Sequence, residues 1–211
     1  TAELAMGLLV ALARNLHVEF ANMREGRWQT TVGHDLHGKT LGLLGLGRLG
    51  GQVARMGQAF GMKTIGWSPN LTAERAKEHG ADRVEKEELF RRADVISVHM
   101  VLSARSRGIV TAGDIALMKP TAYFVNTSRA PLVDNAALAS ALAGGRIAGA
   151  ALDVYEVEPV PAAEALRREP RAVLTPHIGY VTEETYRLFY GGMIECIEGW
   201  LAGKPVRVIG A

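Results

Sequence analysis

The sequence of 211 residues is poor in the residues that define several specialised classes of protein. It has one cysteine, Cys196, so it can form neither an internal disulfide nor a cysteine-rich metal site. Aromatic residues make up only 6%, and 24 Lys and Arg nearly balance 22 Asp and Glu, leaving a formal charge of +2. This balance gives no electrostatic reason to expect nucleic acid or an anionic membrane as a partner. The single cysteine is compatible with the reducing cytoplasm, where we expect the protein to act.

Long apolar runs are also missing. Arg14, Asn15 and His17 interrupt the most apolar early stretch, well short of the ~20 residues that a membrane-spanning helix needs. The first residues lack the charged lead-in and small-residue cleavage site of a secretory signal. His34 and His37 are the pair of histidines closest to a metal-site spacing, but no third ligand accompanies them. We therefore expect no membrane span, no secretory signal and no metal.

The remaining composition, 48% hydrophobic with 24 glycines, is ordinary for a globular protein. Apolar residues spaced by three and four predict one long amphipathic helix from Ala2 to about Arg24. Beyond Gly38, short apolar runs alternate with helical patterns, which favours an open, mostly parallel, doubly wound α/β sheet. The predicted strands cover residues 39–46, 63–67, 94–100, 122–126, 147–154 and 172–175. A helix is expected to follow the first strand and to end near Phe60, and further helices are expected over residues 72–79, 135–143 and 182–202.

A glycine-rich turn follows the first predicted strand and opens a helix. Gly45, Gly47 and Gly50 have the spacing of a dinucleotide-binding fingerprint. The first glycine permits the tight turn, the second lets the backbone approach a pyrophosphate, and the third allows close packing of helix on strand. Backbone N–H groups near Arg48 and Leu49 would then face the phosphates. On the residues alone, glycines that serve a bare strand–helix turn remain the alternative.

The fingerprint normally has an acidic residue about 20 positions later, where it binds the ribose hydroxyls. Ser68 stands at that place, at the end of the second predicted strand, followed by Pro69 and Asn70. Without a carboxylate to repel a ribose phosphate, NADP is admissible, yet Ser68 or Asn70 could equally hydrogen-bond an unmodified ribose. We expect NAD, with NADP possible. A simple turn is the other interpretation of this segment.

Three titratable or charged residues lie just beyond later predicted strands, at the edge where such sheets bind ligands. Arg129 follows the strand that ends in Phe124-Val125-Asn126, Glu158 lies in the segment after Asp153, and His177 belongs to Thr175-Pro176-His177-Ile178-Gly179. Each alone is more simply a surface ion pair, a solvated loop acid or a core histidine. Their combination with the glycine turn favours a functional site.

These motifs resemble those of the D-isomer-specific 2-hydroxyacid dehydrogenases, over essentially the whole chain. The resemblance implies a Rossmann-like domain and an NAD(P)H-dependent enzyme that interconverts 2-oxo acids and D-2-hydroxy acids. It implies that His177 is the general acid or base, that Glu158 orients its imidazole and that Arg129 binds the substrate carboxylate. It implies further that Asp153 contacts the nicotinamide carboxamide, and that Val101, Ser106 and Thr127 line the nicotinamide half of the cleft.

The resemblance also implies how the protein is organised. We expect a linking and dimerisation helix over residues 1–27, a dinucleotide-binding domain over 28–181, and a closing helix and tail over 182–211. Family members carry about 100 further residues before this point, the size of one small domain, which form most of a substrate domain. We therefore expect a homodimer, and poor turnover from this piece alone. Corepressors on the same fold, which sense the cofactor and bind partner proteins, are the rival interpretation.

Overall fold

A computed structural model describes residues 1–209, and in that range it contains eight α-helices and seven β-strands. The helices are α1 (Ala2–Ala13), α2 (Leu16–Arg24), α3 (Arg48–Ala59), α4 (Ala73–Glu78), α5 (Lys86–Arg92), α6 (Ala112–Ala116), α7 (Asn135–Ala143) and α8 (Glu183–Leu201). The strands are β1 (Thr40–Leu44), β2 (Lys63–Trp67), β3 (Asp82–Arg83), β4 (Val95–Val98), β5 (Tyr123–Asn126), β6 (Gly149–Leu152) and β7 (Ala172–Leu174).

The seven strands form one sheet in the order β3-β2-β1-β4-β5-β6-β7, and every neighbouring pair is parallel. Strand order reverses between β1 and β4, so the chain runs outward from the middle of the sheet in both directions. In such sheets ligands bind at this switch point, beyond the carboxyl ends of the strands. The predicted doubly wound parallel sheet is confirmed.

Alternate strand residues pack into two separate cores, one on each face of the sheet. On β5, Val125 belongs to the core shared with α1 and α3, whereas Phe124 belongs to the core shared with α5, α6 and α7. On β6, Ala151 and Ala150 divide in the same way. Both faces are therefore covered by helices, which is why the strands are apolar without alternation.

The prediction of one continuous helix from Ala2 to Arg24 is wrong. The helix ends at Ala13, and Asn15 takes a left-handed conformation with φ 51° before α2 begins. Asparagine tolerates this conformation better than most residues, and its side-chain amide donates a hydrogen bond to the Val32 carbonyl. The apolar periodicity continues across the bend, so the pattern alone does not reveal it.

The first helix is part of the core. Leu9 and Leu12 of α1 are each only 2% exposed, in the same core as Tyr123 and Val173 of the sheet. Within residues 1–209, no single helix is long and apolar enough to cross a membrane, and α1 and α2 reach that length only as a pair bent by 67°. The burial of α1 explains its apolar composition.

Several short elements are not resolved by the sequence pattern. The two-residue strand β3 and the five-residue helix α6 are too short to show a period. Helix α6 is defined by its ends, where Thr111 and Asp114 form a reciprocal capping box.

The structure divides into a compact unit from Thr1 to Gly179 and a second unit from Tyr180 onward. In the second, α8 begins after Thr182, whose hydroxyl accepts the Thr185 backbone N–H. The helix thus begins where the sequence predicts, at about residue 182.

Candidate active site

The glycine turn lies between β1 and α3, at the switch point. Gly45 has φ +98°, and a Cβ there would lie 2.7 Å from the His99 carbonyl oxygen, so both conformation and space require glycine. A Cβ on Gly50 would lie 2.1 Å from the Gly45 carbonyl oxygen, which a side chain could not avoid. Two of the three glycines are thus explained by the fold itself.

Gly47 is different, because a Cβ at this position would meet no atom within 4 Å. Its φ of −88° is also open to any residue. Gly47 is the N-cap of α3, where the first backbone N–H groups, those of Arg48, Leu49 and Gly50, have no intrahelical acceptor. A bare backbone with free N–H groups facing open space fits the pyrophosphate of a dinucleotide.

A cleft of about 390 Å³ adjoins the turn. It is lined by Gly45 and Gly47, by Ser68 and Asn70 beyond β2, and by Val101 and Ser106 beyond β4, so six of the predicted cofactor-binding residues share one cavity. Its remaining lining residues are Leu46, Pro69, Leu71, Arg75, Met100, Ser103, Arg105 and Ile109.

Ser106 is buried, and its hydroxyl is engaged within its own loop. It accepts the Ser103 backbone N–H at 2.8 Å and donates to the Val101 carbonyl at 2.7 Å. Ser106 therefore fixes the shape of this cleft wall. Thr127, beyond β5, is also buried, but its hydroxyl has no hydrogen-bond partner among the described residues. A buried hydroxyl without a hydrogen-bond partner in the chain is suited to bind a ligand.

Arg129 is placed by a buried amide. The Asn126 side chain accepts the Ser128 backbone N–H at 3.0 Å and donates to the Arg129 carbonyl at 3.1 Å. The Ser128 hydroxyl donates to the Val98 carbonyl at 2.9 Å, which ties the loop to β4. The Arg129 side chain is exposed at the carboxyl edge of the sheet, where it can reach an anion.

Glu158 and His177 form a hydrogen-bonded pair. The His177 Nδ1 lies 2.7 Å from one Glu158 carboxylate oxygen, and the other oxygen accepts the Tyr155 backbone N–H at 2.8 Å. His177 has φ 55°, an uncommon conformation for a residue with a side chain and one often found at functional sites. The Glu158 carboxylate thus fixes the Nδ1 side of the imidazole.

The electrostatics of this pair involve all three predicted catalytic residues. Burial alone would raise the pKa of Glu158, but the hydrogen bonds from His177 and Tyr155 and the positive charges of His177 and Arg129 outweigh it and lower that pKa. The charge of Arg129 therefore acts on the Glu158 carboxylate. The structure places Glu158 and His177 in direct contact, and Arg129 near enough for its charge to lower the pKa of Glu158.

Asp153 follows β6 and is almost fully buried. One carboxylate oxygen accepts the Thr175 hydroxyl at 2.6 Å and the Ile178 N–H at 2.8 Å, and the other accepts the Gly179 N–H at 2.8 Å. These donors flank His177 in the chain. Asp153 thus holds the loop that carries His177, a role that the sequence does not reveal, and its contact with a carboxamide stays a prediction.

Tyr155 and His99 also escape the sequence analysis. The Tyr155 hydroxyl lies 2.9 Å from the carbonyl oxygens of both Leu152 and Thr175, and burial, with the nearby Asp153 charge, raises its pKa to about 12. The His99 Nε2 lies 2.8 Å from the Ser97 hydroxyl, while its Nδ1 is buried with no hydrogen-bond partner in the described chain. Burial lowers the pKa of His99 to about 4. For His99 the available signal is a polar residue directly after a buried strand, whereas Tyr155 lies three residues beyond the end of β6.

Among residues 1–209, no group of three His, Cys, Asp or Glu side chains is arranged to hold a metal ion. The donors of the site suit a dinucleotide and a small carboxylic acid.

Comparison with known proteins supports this chemistry. Residues 6–179 match the family model of the D-isomer specific 2-hydroxyacid dehydrogenase, NAD binding domain. The chain is 43% identical over 206 residues to a D-3-phosphoglycerate dehydrogenase of Methanocaldococcus jannaschii, a match that covers 96% of this chain and 39% of that protein. It is 40% identical over 194 residues to a glyoxylate reductase of Aeropyrum pernix, covering 88% of this chain and 58% of that protein. The chain therefore spans less than two thirds of the length of these relatives.

The fold is also similar to that of solved structures. The crystal structure of a phosphoglycerate oxidoreductase from Vibrio cholerae superposes with a TM-score of 0.92 at 38% identity, over 96% of this chain and 66% of that one. Glycine turn, parallel sheet and family match thus agree: the chain belongs to the D-isomer-specific 2-hydroxyacid dehydrogenases and contains their NAD-binding domain.

Proposed function

We propose that this chain forms the cofactor-binding and catalytic part of an enzyme that interconverts 2-oxo acids and D-2-hydroxy acids. The observation that carries the proposal is the 2.7 Å pair of Glu158 and His177 at the carboxyl edge of the sheet, where the charge of Arg129 also lowers the pKa of Glu158. The pair belongs to the same sheet edge as the glycine turn, where a dinucleotide fits.

Each side chain has a distinct task. A bound nicotinamide cofactor supplies or accepts the hydride. His177 gives a proton from Nε2 to the carbonyl oxygen during reduction and takes it back from the hydroxyl during oxidation. Glu158 fixes the imidazole through Nδ1. The planar guanidinium of Arg129 binds the substrate carboxylate through two parallel hydrogen bonds.

The substrate is a small 2-oxo or 2-hydroxy acid of the glyoxylate, hydroxypyruvate or phosphoglycerate type. The names of the relatives, D-3-phosphoglycerate dehydrogenase and glyoxylate reductase, support this range. Arg129 recognises the carboxylate that all these acids share and does not distinguish their side chains.

The proposal includes a homodimer in the cytoplasm. Four large apolar side chains on α2 and the connector after it are between 61% and 89% exposed, namely Phe20, Met23, Trp28 and Val32. Apolar side chains gathered on one short segment are typical of an interface between subunits. Light scattering should give twice the monomer mass, and a monomer mass would contradict this part.

The function is tested by supplying NADH or NADPH with glyoxylate, hydroxypyruvate, pyruvate or phenylpyruvate and following cofactor absorbance. The products from hydroxypyruvate, pyruvate and phenylpyruvate, which are chiral, are then separated on a chiral column, whereas the product from glyoxylate is achiral. We expect consumption of reduced cofactor with at least one 2-oxo acid, and the D-enantiomer wherever the product is chiral. An L-product, or cofactor binding without turnover of any 2-oxo acid, would count against the proposal.

A further inference from the structure

The end of β2 lies directly beside the glycine turn. The Gly45 N–H donates to the carbonyl of Trp67, the last residue of β2, at 2.8 Å, and Ser68 follows immediately. A dinucleotide whose pyrophosphate lies at the turn places its adenosine ribose at this strand end. Ser68 is half-buried there and lines the cleft together with Asn70.

The charges that line this cleft are all positive. Among its lining residues, Arg75 of α4 and Arg105 of the loop beyond β4 are the charged ones, and none is Asp or Glu. An acidic residue at the position of Ser68 would repel a phosphate on the ribose, and the cleft wall offers no such group. Its potential therefore favours a ligand with additional negative charge.

The two arginines of the cleft can be compared with three arginines that lie between β2 and β4 in the chain. Arg83, Arg91 and Arg92 each form an ion pair with a nearby glutamate. Within the described chain, the guanidinium groups of Arg75 and Arg105 have no carboxylate partner and no hydrogen bond, although Glu74 is adjacent to Arg75 in sequence. The Glu74 carboxylate instead accepts hydrogen bonds from its own backbone and from Thr72.

We propose that Arg75 and the Ser68 hydroxyl bind a phosphate on the ribose 2′-oxygen, so that the chain prefers NADP(H) to NAD(H), the reverse of the preference expected from the sequence. The inference rests on the proposed function and names the cofactor of that site. The Arg75 guanidinium supplies charge-assisted hydrogen bonds to the phosphate. Ser68 supplies a hydroxyl at a position where a carboxylate would repel the phosphate. Arg75 lines the cleft with the β2 end, so it is assigned to the ribose, whereas the pyrophosphate belongs to the turn at Gly47.

Binding is measured by calorimetry, without any turnover. The protein is titrated with NADPH, NADH, 2′-AMP and 5′-AMP, at low and at high salt. We expect NADPH to bind more tightly than NADH, 2′-AMP more tightly than 5′-AMP, and the NADPH affinity to fall more steeply with salt because it depends on an additional charge.

Three variants locate the effect. Arg75→Ala should weaken NADPH by ~10- to 100-fold, the range of a hydrogen bond to a charged group, and leave NADH nearly unchanged. Ser68→Asp should reverse the preference toward NADH. Arg91→Ala is the matched control, since it removes the same charge from an exposed arginine that does not line the cleft.

The outcomes separate this inference from the proposed function. Equal affinity for NADH and NADPH, or an Arg75→Ala variant that binds both as the wild type does, would overturn the inference and leave the dehydrogenase proposal standing. Binding of neither dinucleotide would overturn both.

Discussion

His177 is held from two sides by groups that belong to other parts of the sheet edge. Glu158 contacts its Nδ1, and the buried carboxylate of Asp153 accepts the backbone N–H groups of Ile178 and Gly179, which follow it. The imidazole therefore keeps its direction in spite of a left-handed backbone at this position. Such support is what a proton-transfer group needs, because transfer depends on hydrogen-bond geometry first.

The charge of Glu158 is testable separately from its shape. Glu158→Gln keeps the size of the side chain and removes the charge, so turnover should fall by at least ~10-fold while the dissociation constant for NADH is unchanged. Stopped-flow reduction of a 2-oxo acid, beside a binding titration, measures both. Wild-type turnover by Glu158→Gln would show that the carboxylate charge has no part in the reaction.

The ionised state of Glu158 should also persist in mild acid. The pKa of Glu158 is lowered in the folded protein. The ionised carboxylate therefore stabilises the fold above the pH range in which an exposed glutamate titrates, and this stabilisation is lost as the pH falls through the pKa of Glu158 in the folded protein. The infrared carboxylate band of Glu158 can be identified because it is absent from the Glu158→Gln variant. In the wild type this band should disappear at a lower pH than the carboxylate band of an exposed glutamate. Loss at the ordinary pH or above would contradict the assigned surroundings.

His99 should limit stability in acid. Its pKa is about 4 in the folded protein, below the ordinary value of 6.5, so the unfolded chain binds a proton that the folded chain does not. Stability is fully present above pH 6.5 and is lost as pH falls toward 4, by up to ~3 kcal/mol. Urea unfolding of wild type and His99→Gln across this range measures it. Parallel curves for the two proteins would rule out His99 as the cause.

At the scale of elements, the glycines of the turn between β1 and α3 are needed for two different reasons, some for the fold and one for a ligand. Gly45 and Gly50 are required by atoms of the chain, the His99 carbonyl and the Gly45 carbonyl respectively. Gly47 faces open space, so the fold itself tolerates a side chain there. The sequence could identify the motif and the part expected of each glycine, but only the structure shows that Gly47 is not required by the fold.

Two alanine substitutions should therefore act in opposite ways. Gly47→Ala should weaken cofactor binding by ~10-fold or more, while the free energy of unfolding changes by no more than about 1 kcal/mol, the scale of an N-cap effect. Gly50→Ala should lower the free energy of unfolding by ~1–3 kcal/mol, because its Cβ would lie 2.1 Å from a backbone oxygen. Calorimetric binding and denaturant unfolding of both variants test this. Equal effects of the two on binding and stability would refute the assignment.

Some element boundaries follow from local chemistry and others do not. Strand β2 and helix α7 begin and end at the predicted residues, because glycines or polar caps bound them. The break between α1 and α2 was missed because Asn15 changes the backbone without changing the apolar period. The short element α6 was missed because its stability comes from its caps and its packing, which a periodicity does not show.

At the scale of the whole molecule, the parallel sheet makes the site. The ends of β1, β2 and β4 supply the cofactor cleft, and the ends of β5, β6 and β7 supply Arg129, Asp153 and His177. Motif order along the sequence could predict these strand ends. It could not predict that Asp153 hydrogen-bonds the His177 loop or that the cleft has only positive charges, since both depend on side-chain packing across strands.

The central claim is that His177 transfers the substrate proton and takes no part in holding the cofactor. Replacing His177 with alanine, and measuring both turnover of a 2-oxo acid and the dissociation constant for the cofactor, tests it most directly. The account predicts that turnover falls by ~100-fold or more while the dissociation constant stays within about twofold of wild type. Turnover that survives the substitution, or a loss of cofactor binding large enough to explain its fall, would contradict the account.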